Sequence, residues 1–325
     1  AEKIFKNYND KEILAKLYLD KSSVQINVFD IHGAEKSIIT SLKYSKLIND
    51  KMSQYDAFLN LAIASTQSDD YDKAIYYIKK ALLIAKNNPQ FDKFFIKEIA
   101  LNNLGYYHSF KNNHIKAIAI YKAALLNKNL RKKLPRIYST IEGNLAYSYF
   151  VINPNNSTSF FLFLDAIKIA DSLNRRSKVV FFKNHLSEYY CYKRDTLTAL
   201  KLAKEALEIS RVTQSYDDLL FSLKQMAKAD YKNQSVYLKE YISLTDSLYK
   251  KERKAKNKFE AIAYETEEIT QQKNTALKNY RRVWIIASVI IGLLVLLLII
   301  RAQAAKKREL ELKQIQQKAN EEISN

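Results

Sequence analysis

Glycine and proline are scarce, with four and three in 325 residues. So few turn-formers exclude a fold of many short strands, while Leu, Ala, Lys and Ile abound, and the chain reads as all-α. The single cysteine, Cys191, excludes an intramolecular disulfide and a thiolate metal site, and on a helix it reads as a small apolar filler. Histidine is equally sparse. His32, His108, His114 and His185 share no metal-ligand spacing, so no metal is expected. There is no phosphate-binding glycine loop, no triad pattern and no pair of carboxylates with a reason to pair, so neither a catalytic site nor a cofactor is expected within these residues. Negative charge is in deficit too. With 53 Lys and Arg against 34 Asp and Glu the formal net charge is +19, which we read as a property of a Lys- and Asn-rich surface rather than as a nucleic-acid footprint. The chain opens at Ala1, without Met and without a signal-like apolar stretch, as a processed or trimmed chain would.

What the sequence does contain is a repeat. The segments "YDKAIYYIKKALLIA", "HIKAIAIYKAALLNK", "STSFFLFLDAIKIAD" and "TLTALKLAKEALEIS" each carry a small residue, an apolar or small one four later and another small one at seven. These positions are Ala74/Ile78/Ala81, Ala117/Tyr121/Ala124, Ser159/Phe163/Ala166 and Ala199/Ala203/Ala206. Small residues at that spacing let a neighbouring helix approach closely. About thirteen residues upstream of each lies a second helical stretch, "LNLA", "NNLG", "GNLA" or "NHLS", so each unit is a helical hairpin. The anchors are spaced 40 from Ala34 to Ala74, then 43, 42, 40, and 37 to Val236, with the first and last units the poorest matches. Pro89 and Pro154 fall in connections and Pro135 just before a first helix, where a missing N–H costs least.

These residues resemble the tetratricopeptide repeat, whose first helix carries a small residue after Leu and whose second carries small, aromatic, small. The resemblance implies a solenoid over 1–245 with spacings longer than the family's usual 34 residues. It also implies a concave, peptide- or protein-binding face lined by first-helix residues. The candidates are Asn60, Asn102, Asn103, Asn144, Asn184 and His185, with Tyr106, Tyr147 and Glu188 one turn or less further on. A side-chain amide offers both donor and acceptor and suits a peptide backbone. Some peptide-binding members clamp a terminal carboxylate with Lys and Arg beside such Asn. Here Thr140, Gly143 and Phe181 stand where basic residues would be wanted, which argues against that clamp.

From Val283 to Ile300 run eighteen uncharged residues, about 27 Å of helix, close to the thickness of a bilayer core. Tyr280 and Trp284 stand at the level of an aromatic belt, and Arg281, Arg282 and Arg301 close the ends. The segment therefore reads as a transmembrane helix with the lipid bilayer as a partner. Before it, 246–282 form a stalk helix in which every seventh residue is apolar: Leu248, Ala255, Ile262, Ile269 and Ala276, continuing to Val283. A companion column is weaker, with Phe259 and Tyr280 but also Glu252, Thr266 and Lys273. The seam predicts a coiled coil and a homodimer through stalk and membrane helix, or a stalk packed on the last repeats. The basic run at 250–258 is read as its solvated face, so no nucleic-acid partner is expected in this chain. Six basic residues follow the span within 301–318 and four precede it within 273–282, which predicts the C-terminus in the cytoplasm.

With "DSLYKKERKAKNKFEAIAYETEEI" before the span and "KKRELELKQIQQKANEEI" after it, the chain resembles the sensor and transmembrane half of tetratricopeptide-repeat sensor histidine kinases of Bacteroidetes type, without the kinase domains. That resemblance implies a single-pass protein of a bacterial inner membrane with periplasmic repeats, a span at 283–300, and a cytoplasmic linker helix at 301–325 leading to a histidine-kinase output. Two alternatives remain beside it. One is a membrane-anchored scaffold for protein–protein interaction, and the other is the front half of a helix-turn-helix transcription regulator.

Overall fold

The computed structural model describes residues 10–213 and 215–324, and only the backbone at 252, 255, 256, 259, 260, 263, 264, 266 and 316–324. The seam position Ala255 and its companions Glu252, Phe259 and Thr266 therefore have side chains outside what is described. All regular structure among the described residues is helical. The chain divides into two compact units, Ala1–Lys256 and Asn257–Asn325.

In the first unit, α1 (Lys11–Asn27) pairs with α2 (Ile31–Leu47), α3 (Lys51–Thr66) with α4 (Tyr71–Asn87), and α5 (Ile96–Phe110) with α6 (His114–Leu125). After the short α7 (Leu130–Lys133), α8 (Pro135–Ile152) pairs with α9 (Ser157–Ser172), and α10 (Arg176–Tyr192) with α11 (Thr196–Thr213). Finally α12 (Tyr216–Ala229) packs on the start of α13 (Gln234–Ser324) through Leu223 and Met226 against Tyr237, Tyr241 and Leu244. All twelve anchor residues of the four central units are fully buried. The first unit follows the pattern better than its sequence promises, because Ala34, Ile38 and Ser41 are fully buried as well. In the last, Val236 is 58% exposed and the packed face is one residue later, at Tyr237. The long spacings have local causes: the step of 43 contains the 3-10 helix Pro89–Phe94, and the step of 42 contains α7.

Turns are built almost without glycine. Six of them reverse the chain through one left-handed residue followed by the next helix's cap: Phe29, Asn49, Asp69, Asn112, Asn174 and Arg194 have φ between 52 and 62°. In each, the following N–H reaches back to a carbonyl five residues earlier, as in Asp30 to Gln25 (2.8 Å) and Asp50 to Ser45 (2.8 Å). That bond satisfies orphan carbonyls of the ending helix, and Asn and Asp tolerate the left-handed region better than most residues. The capping carboxylates of Asp30, Asp50, Asp70 and Asp195 then accept N–H bonds from the first turn of the helix they open. At one contact between first helices, α8 on α10, glycine is required. A Cβ at Gly143 would lie 2.0 Å from the Phe182 ring of the next unit.

The second unit is helical as far as Ser324. Within it, Glu267–Ile315 contains a window with mean hydropathy 3.2, none of it buried, long and apolar enough to cross a membrane. Tyr280 and Trp284 pack edge to face at 6.1 Å, and the Ser288 hydroxyl donates to the Trp284 carbonyl (2.8 Å), so its polar hydrogen is satisfied inside the helix.

Candidate functional site

Among the first helices α1 packs on α3, α5 on α8, α8 on α10 and α10 on α12, while the Tyr55 hydroxyl of α3 donates to the Ile96 carbonyl of α5 (2.7 Å), and these helices carry the predicted groove residues in two groups. The amides lie mostly between helices. Asn102 and Asn144 are buried, and the Asn144 amide donates to Asn102 Oδ1 (3.1 Å), while Asn102 donates to Asn103 Oδ1 (3.3 Å). Asn184 is fully buried and donates to the Ser222 hydroxyl of α12 (2.9 Å). Asn60 is part-exposed and donates to Ser22 and Ser23 of α1 (3.0 and 3.2 Å). The same chemistry continues at Gln225, which donates to Ser187 Oγ (2.9 Å). These amides tie consecutive first helices together, because a buried amide without a partner is costly.

The second group is aromatic. Tyr147 lies 4.0 Å from the His185 ring, which also packs against Phe181 (4.5 Å) and Phe221 (4.9 Å), and His114 meets Tyr147 edge to face at 5.8 Å. Burial holds His185 neutral by lowering its pKa. Its Nδ1 stands 3.5 Å from Glu188, whose other oxygen accepts from Lys228 (2.8 Å). Burial pushes the Glu188 carboxyl upward, but His185 and Lys228 together keep it below the usual range. Tyr106 is apart from this group and packs on Phe110 (4.6 Å). His114, Phe181, Phe221 and Lys228 were not among the sequence candidates. For Phe221 and Lys228 the signal is the repeat spacing, since each stands forty residues after Phe181 and Glu188, whereas Phe181 lies one turn before His185 on the same helix and His114 opens a second helix.

A groove of about 1,100 Å³ lies at the other end of the row of first helices, between α1 and α3. Leu19, Met52 and Leu59 form apolar parts of its wall, Asn60 lines it too, and Asp10, Glu12, Asp20, Asp50 and Asp56 give it acidic character. Of the predicted residues only Asn60 lines it. Among the described residues no three His, Cys, Asp or Glu side chains converge as metal ligands would.

No protein-family model matches the chain, and no curated protein matches its sequence. Solved structures do. A signal transduction ATPase with numerous domains from Pyrococcus horikoshii, with a tetratricopeptide repeat sensor, superposes with a TM-score of 0.56 at 16% identity over 75% of this chain. This chain spans 39% of the length of that protein. BtubC (BKLC) from P. vanneervenii gives 0.50 at 14% identity, covering 72% of this chain and 92% of that one. The fold is that of tetratricopeptide-like helical repeats. At such identities the likeness is one of architecture, and it extends to neither ligand nor output.

Proposed function

We propose that this chain is the sensing and membrane-crossing part of a single-pass receptor, in which the repeats hold a peptide or protein ligand and α13 carries the signal across the bilayer. The observation that carries this reading is the pairing, in one chain, of a ligand-sized groove on the first helices with a helix whose apolar window is nowhere buried. A repeat sensor joined to a signalling ATPase, as in the archaeal protein, is a precedent for the division of labour. In this reading Asn60 meets the ligand in that groove, and Asn103, Tyr106, Tyr147, His185 and Glu188, which lie outside it on the later first helices, are further contacts, with Asn102, Asn144 and Asn184 holding their helices in register. The repeats lie in the periplasm and the C-terminus in the cytoplasm, in line with the excess of basic residues after the span. The output is a histidine kinase. The scaffold and the helix-turn-helix regulator are the competing readings, and the scaffold requires no moving stalk.

Leu248, Ala255, Ile262, Ile269 and Ala276 form the dimer seam in this proposal. Ile269 in this column is 65% exposed. Single cysteines at 262, 269 and 276 in a Cys191→Ser background should crosslink in native membranes, and those at 271 and 278, half a helix turn away, should not. Uniform crosslinking, or none, would leave the monomeric scaffold as the better reading.

A further inference from the structure

We propose that the groove between α1 and α3 takes a cationic segment of the ligand, with a Lys or Arg side chain lying along its apolar wall and its charged head at Asp56. This deepens the peptide-receptor reading and rests on it.

In a chain of net charge +19, the described residues that line this groove include five carboxylates and two lysines, Lys11 and Lys16. Most of that charge has work to do within the fold. Lys16 pairs with Glu12 at 2.7 Å, Asp10 caps α1 through the Ile13 N–H, and Asp50 caps α3 through the N–H groups of Met52 and Ser53. Asp56 has no such role. Among the described residues no cation pairs with it, yet it is part-buried beside the fully packed Tyr55. Burial, and then the Asp50 charge, push its carboxyl up to about 6. A carboxylate set in a part-desolvated wall next to another is short of a counter-charge, and an incoming ammonium or guanidinium supplies it.

The repeat makes the point sharper. Counting from "LNLA" to "NNLG", "GNLA" and "NHLS", the positions equivalent to Asp56 are Ile99, Thr140 and Phe181, none of them charged. Packing of the repeat therefore does not call for an acid there. The apolar wall suits the rest of the side chain, because Leu19, Met52 and Leu59 can cover the methylene stem of Lys or Arg while its head stays at the carboxylate. A volume of about 1,100 Å³ is at the upper end of ligand sites and admits several residues of an extended segment. The basic charge of the whole chain works against cationic ligands, so such a ligand gains only where the local field is reversed.

The test uses the full chain in neutral detergent micelles and three labelled nonapeptides in which Leu alternates with Lys, Glu or Ser, read by fluorescence anisotropy. The Lys peptide should bind about tenfold or more tighter than the other two, and Asp56→Asn should remove that preference. Binding of the Lys peptide should also tighten between pH 5 and 7.5 as Asp56 ionises, and Asp56→Asn should abolish that dependence. Because the substitution removes an unpaired charge, its melting temperature should be equal or higher, which separates lost binding from lost folding. Equal binding of the three peptides, or an Asp56→Asn chain that still prefers Lys, overturns the proposal. Capture of the Ser or Glu peptide alone overturns it while leaving a peptide receptor standing, and capture of none overturns both.

Discussion

In the repeats Ile38, Ile78, Tyr121 and Phe163 are fully buried, whereas in the C-terminal helix Ile291, Leu294 and Leu298 are 60, 56 and 65% exposed. The residue types overlap, and the arrangement differs. Apolar positions of the solenoid recur at four- and seven-residue steps between polar ones, so one stripe per helix finds a neighbouring helix. In the span they are continuous around the helix, which no single neighbour could cover, and a bilayer can. The comparison teaches that an exposed apolar residue carries meaning through its periodicity. Ile115 and Leu197, at 76 and 82% exposure, are isolated on second helices, while the span presents eighteen residues in one run.

The largest effect should come from removing a side chain that the repeats alone bury. Phe163→Ala should lower the stability of the solenoid by about 3–5 kcal/mol, because the cavity it leaves lies against Phe150, Leu186 and Tyr189 in a closed cluster. Leu293→Ala in the span should leave the same unfolding transition, followed by circular dichroism in micelles, where it was. Equal losses would mean that the two units are not built on separate principles.

Overpacking should have the next largest effect. Ala117 is fully buried, and Ala117→Leu should cost about 1–3 kcal/mol, whereas Lys122→Ala on the same helix, exposed and lying over the Tyr149 ring at 5.5 Å, should cost a few tenths. Indistinguishable melting temperatures would show the register of α6 to be misassigned.

A third effect is a change of slope with pH. Glu142 is buried and its carboxyl is pushed up to about 8, first by burial and then by Asp165, which a bidentate bond from Arg131 (2.5 and 2.9 Å) keeps ionised. The native state therefore holds a proton that the unfolded chain releases near pH 4.5. The stability from this group is full below that pH and is lost as pH rises towards 8. Glu142→Gln should flatten the decline measured by urea unfolding between pH 5 and 8, and no residue of the second unit should do the same. An unchanged slope would mean that Glu142 does not titrate in this range.

Much of the fold is legible in the sequence because its signals are local. An Asp or Asn before each second helix, small residues at four- and seven-residue steps and Pro89 and Pro135 at helix starts all act within one or two turns, and they fix the hairpins wherever the chain is read. The continuous apolar run is likewise self-sufficient, since its length alone measures a bilayer. Side chains on the first-helix face are different. That Asn144 meets Asn102, that His185 sits among Tyr147, Phe181 and Phe221, and that Asp56 lines the groove with no described cation paired to it depend on how helices some forty residues apart cross. A sequence of polar residues at the right spacing looks the same whether its amides point to solvent or to the next helix. Only the tertiary structure decides that, because interhelical distance and crossing angle are set by packing summed over a whole interface rather than by any one residue in it.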